Sequence, residues 1–147
     1  MAAKGTPDTA ERCASTFSRH LRPGMALLDA GCGPGTITIR LAELVAPGPV
    51  TAIDRNPEDV RRAGAALWDA GFRNARIVTG DVRALPFDDA SFDAVHAHAT
   101  PDGVADHDAL AEYLRVLRPG GVVGVGSVVA LKPPGPTEPD IRSKGAS

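Results

Sequence analysis

The chain has 147 residues, room for one domain with a real core and too few for two of ordinary size. Apolar residues make up 43% and charged residues 23%, a soluble globular balance, and the net charge of -2 gives no general electrostatic reason to bind nucleic acid or an anionic membrane. No apolar segment approaches the ~20 residues of a membrane span and no secretory signal opens the chain; Cys13 and Cys32 fit no metal-ligand spacing and read as free thiols of a cytoplasmic protein.

From Asp8 to about His20, apolar or small residues at Ala10, Cys13, Ala14, Phe17 and Leu21 recur at helical spacing, so residues 1–24 are expected to form an N-terminal helix and its exit. Arg22-Pro23-Gly24 then breaks the chain before a strand over 25–30. That strand runs into Gly31, Gly33 and Gly35, and a helix with Ile37, Leu41, Leu44 and Val45 on one face stops at Pro47-Gly48. A second unit repeats the plan. Val50 to Asp54 is a β-rich run, Asn56 caps and Pro57 opens a helix whose stripe is Val60, Gly64, Leu67 and Trp68, and Gly71 ends it in the left-handed region.

A third strand over 75–79 leads into Gly80-Asp81, and a connection with Pro86 and the solvated turn pair Asp88-Asp89 precedes a fourth strand over 92–98. A helix with Leu110, Tyr113 or Leu114, and Leu117 on one face ends at Arg118-Pro119-Gly120-Gly121, and a fifth strand runs from Val122 to about Ala130. Alternating strands and helices predict an α/β fold, a parallel sheet with helices on both faces, over residues 25–130. Residues 131–147, with Pro133, Pro134, Pro136 and Pro139, have neither helical nor strand periodicity and read as a disordered tail.

Ligands of such sheets bind beyond the carboxyl ends of the strands, and Asp29, Asp54, Asp81 and His98 all fall at predicted carboxyl ends. The glycine turn lets backbone N–H groups approach a ligand closely, while a carboxylate nineteen positions after Gly35, Asp54, suits the two hydroxyls of an unphosphorylated ribose. A dinucleotide fingerprint would need glycine at position 36, where the chain has Thr36, so a nicotinamide-dependent oxidoreductase loses support. Asp29 before the turn favours a ligand carrying an ammonium or sulfonium charge. His96 reads as a hydrogen-bonded interior histidine, and His98, nearer the strand end, as a cofactor contact.

Leu28-Asp29-Ala30-Gly31-Cys32-Gly33-Pro34-Gly35-Thr36 resembles the first motif of the class I S-adenosylmethionine-dependent methyltransferases. Val50 to Asp54, Thr79-Gly80-Asp81-Val82, Leu85 to Asp93 and Leu114 to Gly121 resemble that family's later motifs in order, closest to the branch with quinone-biosynthesis C-methyltransferases. The resemblance implies a Rossmann-like sheet of order 3-2-1-4-5, S-adenosyl-L-methionine as cofactor and a small-molecule methyl acceptor. It implies that Gly31, Cys32 and Gly33 face the methionine part, Asp54 the ribose, and Asp81 and the Val82 backbone the adenine; beside it, Arg55 or Asn56 is chemically suited to cover the adenine face or edge. No catalytic base or metal site is assigned. The family's seven-stranded sheet is not completed by these residues, so the fifth strand is expected at an exposed edge unless a second copy or the tail covers it. A degenerate cofactor-binding or interaction module without turnover is the alternative.

Overall fold

The computed structural model describes residues 16–97, 106–126 and 128–135. The predicted N-terminal helix before residue 16, His98, the segment 99–105 and the tail from residue 136 lie outside the described residues.

The first strand, β1 (Leu27–Ala30), is buried along its whole length, as a central parallel strand covered on both faces must be. The turn Gly31–Gly35 leads to helix α1 (Thr36–Val45), which buries Thr38, Leu41, Ala42 and Val45. Strand β2 (Val50–Asp54) pairs parallel to β1, and helix α2 (Pro57–Asp69) starts under the Asn56 side chain, which accepts from the Glu58 N–H at 3.0 Å. Gly71, at φ 93°, ends it as expected. Strands β3 (Ala75–Thr79) and β4 (Phe92–Ala97) pair parallel with β2 and β1, and helix α3 (His107–Val116) returns the chain to β5 (Leu117–Val125).

Among the described residues the sheet has six strands, where about five were expected. The apolar run after Gly121 is broken at Gly126, where φ is 58°, and the chain folds back as β6 (Val128–Leu131), antiparallel to β5. The order is β3-β2-β1-β4-β5-β6. The expected exposed edge on the fifth strand is thus corrected: β6 covers β5 and is itself the outermost strand at that end among the described residues. Leu131, placed in the tail from sequence, is part of this strand, and Lys132 follows it with its backbone N–H on Gly121 O and its ammonium on the carbonyls of Leu114 and Leu117. Arg118-Pro119-Gly120-Gly121, expected as a helix stop, lies inside β5, where the register against β4 shifts between Phe92 and Ala94.

Two cores sandwich the sheet. Leu27, Leu41, Val45 and Val50 pack with Leu67 on the α1 and α2 side, and Leu28, Ile53, Val95, Tyr113 and Val116 on the α3 side. Two expected core residues face outward. Leu44 sits one position off its buried stripe, and Trp68 is 60% exposed, with the Arg73 guanidinium 3.7 Å above its ring; of Tyr113 and Leu114, Tyr113 is the buried one.

Candidate functional site

The glycine turn joins the carboxyl end of β1 to the start of α1, and its three glycines do two different jobs. At Gly31 (φ 75°) and Gly33 (φ 54°) an added Cβ would meet no atom of the described residues within 4 Å, so their bare faces open on space a ligand can occupy. At Gly35 a Cβ would lie 3.0 Å from Ala63, and glycine there lets α2 pack against the turn. The turn is held on the β2 side by the N–H groups of Gly31 and Cys32, both donating to Ile53 O, and by the Gly33 N–H donating to Asp54 Oδ2 at 3.0 Å. Asp54 Oδ1 accepts from the Asn56 N–H at 2.9 Å. Two backbone donors thus aim a half-buried carboxylate along the rim, and its remaining lone pairs suit hydroxyl donors.

Beside it lies a cleft of about 290 Å³ lined by Gly31, Asp54, Arg55, Gly80, Asp81, Val82, Arg83 and Asp106. Gly80, one of its lining residues, lies against Ile53, whose Cδ1 would be 2.9 Å from a Cβ added at Gly80. Asp81 is exposed, with Oδ1 accepting from the Arg83 N–H at 2.9 Å. A second cleft of about 280 Å³ is lined by Gly31, Cys32, Gly33, Pro34, Thr36 and Ile37; among the described residues it shares Gly31 alone with the first and has no charged lining residue. A carboxylate-rimmed cleft and an uncharged one, joined at a bare glycine, fit a nucleoside carrying a substituent across the turn.

Of the expected site residues, Gly31, Asp54, Arg55, Asp81 and Val82 line the first cleft, and Cys32 and Gly33 the second. Asp29 lines neither. It is fully buried beneath the turn, accepting from the Thr38 hydroxyl at 2.6 Å through Oδ2 and pairing with His96 Nδ1 at 3.0 Å through Oδ1. His96 is interior, as its position on β4 suggested. Burial, reinforced by the charges of Asp29 and Asp54, pushes the Cys32 thiol up to about 12, so it stays protonated at neutral pH and is no nucleophile.

Arg83 and Asp106 were not singled out from sequence. Their side chains pair at 2.9 Å and join the loop after β3 to the start of α3, where Asp106 caps the helix by accepting from the N–H groups of Asp108 and Ala109. These donors and the Arg83 guanidinium hold the Asp106 carboxyl below its ordinary range. The capping signal was legible in Asp106-His107-Asp108; the partner, 23 residues upstream, was not. Among the described residues no group of three or more His, Cys, Asp or Glu could hold a metal ion, and no helix is long and apolar enough to cross a membrane.

A family model described as a methyltransferase domain matches residues 21–143. The chain is 40% identical over 121 residues to a demethylmenaquinone methyltransferase of Staphylococcus aureus, covering 81% of this chain and 47% of that protein. Among solved structures, an S-adenosylmethionine-dependent methyltransferase from Aquifex aeolicus superposes with a TM-score of 0.68 at 27% identity, over 80% of this chain and 62% of the other. The [4+2]-cyclase SpnF does so with a TM-score of 0.69 at 31% identity, over 79% and 44%. The chain spans less than half the length of the curated relatives it matches, 47% of the Staphylococcus protein and 30% of a transposon protein of Streptomyces fradiae.

Proposed function

The chain belongs to the class I S-adenosylmethionine-dependent methyltransferases, and from that premise we propose that it binds S-adenosyl-L-methionine across the glycine turn and transfers the methyl group to a small-molecule acceptor. The observation that carries the reading is the Asp54 carboxylate, aimed along the rim by the N–H groups of Gly33 and Asn56 beside the open faces of Gly31 and Gly33.

In this reading Asp54 accepts from the ribose hydroxyls and Asp81 from the adenine amino group, with the Val82 backbone and Arg55 bordering the ring. Gly31, Cys32 and Gly33 receive the methionine part, and His98 is a further contact at that end. Asp29 serves from below, through the turn. The cofactor supplies an already activated methyl group on a sulfonium, so the protein's work is to hold acceptor and cofactor in line and exclude water rather than to provide an acid–base pair. A cytoplasmic setting, where thiols stay reduced, belongs to the same reading.

A second reading is a cofactor-binding module without turnover. It rests on the same observation, since Asp54 and the open glycine faces account for holding the cofactor and not for an acceptor.

Titration with S-adenosylmethionine, S-adenosylhomocysteine and NADH tests the proposal. Binding of the two adenosyl ligands but not NADH is expected; tight binding of NADH alone sinks it. Release of labelled methyl to a panel of phenols, quinols and small amines then separates the enzyme from the module.

A further inference from the structure

Asp29 and Thr38 flank the glycine turn, nine residues apart, and the bond between them at 2.6 Å closes the turn at its base. His96, directly opposite Asp29 in the pairing of β1 with β4, fixes that closure to the middle of the sheet through a 3.0 Å contact. The arrangement is sealed. Asp29 is 0% and His96 2% exposed, and the Phe17 ring lies 5.3 Å from the imidazole. Gly124, across from His96 on β5, leaves the space that Phe17 fills, for a Cβ there would come within 2.6 Å of the ring.

A turn carrying three positive-φ glycines has little rigidity of its own, and a ligand that must order it loses affinity. On the β2 side the turn is tied by Ile53 and Asp54; at its base it is tied by Thr38, Asp29 and His96. We infer that His96 is a positioning residue: through Asp29 and Thr38 it sets the glycine turn that receives the amino-acid end of the cofactor, without touching the cofactor. This rests on the cofactor reading above. The nucleoside end is held by other residues, at Asp54 and Asp81, so the effect of His96 is confined to one end of the ligand.

That separation supplies the test. Calorimetry on the full chain compares S-adenosylhomocysteine, which carries the amino-acid end, with methylthioadenosine, which lacks it. His96→Leu should weaken S-adenosylhomocysteine roughly tenfold or more while methylthioadenosine stays within about twofold, the scale of a lost hydrogen bond to a charged group. His96→Asn, whose amide nitrogen reaches the Nδ1 position, should restore most of the loss. Thr38→Val, which removes only the hydroxyl, carries the same comparison if His96→Leu does not fold. An equal fall for both ligands, or an unchanged ratio between them, overturns the role of His96 and leaves it a core residue. A wild-type chain that binds neither ligand overturns the cofactor reading itself.

Discussion

Asp29 and Asp54 stand near the carboxyl ends of adjacent strands, on either side of the same glycine turn, yet the fold uses them in opposite ways. Asp54 stays on the rim, held by two backbone N–H groups and lining a cleft. Asp29 is sealed below, both oxygens committed to Thr38 and His96. The same side chain is a candidate ligand contact where water reaches it and a structural brace where water does not, because a buried carboxylate must find protein partners.

The largest expected effect tests the brace. Asp29→Ala takes the shared acceptor from the Thr38 hydroxyl and His96 in a buried site and should cost about 2–5 kcal/mol, the scale of leaving two buried polar groups without their hydrogen bonds, read from denaturant unfolding. A cost under about 1 kcal/mol would break the comparison. Asp54→Ala should do the reverse. Stability should fall by about 1 kcal/mol as two half-exposed N–H groups turn to water, whereas S-adenosylhomocysteine affinity should fall on the order of a hundredfold with the lost carboxylate contacts. Unchanged affinity would remove Asp54 from the site.

Arg83→Ala sharpens the comparison at the rim. Its pair with Asp106 is exposed, with the two side chains 59% and 31% accessible, so stability should change by less than about 1 kcal/mol, and adenosyl-ligand affinity should fall a few-fold, roughly 0.5–1 kcal/mol, if the pair borders the bound ring. Cys32, between the two carboxylates, gives the smallest signal. Its folded pKa is raised from 9.0 to about 12, so its contribution to stability is complete below pH 9 and is lost as pH rises toward 12. In a Cys13→Ser background, iodoacetamide should label Cys32 slowly at pH 8 and quickly once urea unfolds the chain. Fast labelling of the folded protein would mean that the floor of the turn is open.

Much of the architecture was legible in sequence because it is local. Strands β2 and β3, the Asn56 cap and the Gly71 stop each answer to a few adjacent residues, and the rim positions of Asp54 and Asp81 follow from strand ends. The misread elements depend on distant partners. Val122 to Ala130 reads as one apolar run, and it becomes two strands because Gly126 turns and Gly120 and Gly121 pair with Lys132. Trp68 has the composition of a core residue; its position on α2 faces it to solvent, where Arg73 covers it.

The sequence by itself determined the family, the glycine turn and the carboxylate that follows it, since these are set by residue types at fixed short spacings. Only the tertiary structure decided which aspartate lies on the open rim and which is sealed beneath the turn. Thr38 and His96 come from α1 and β4, and it is sheet pairing that brings His96, 67 residues along the chain, against Asp29. Burial depends on what packs over a residue, and no spacing in the chain encodes that directly.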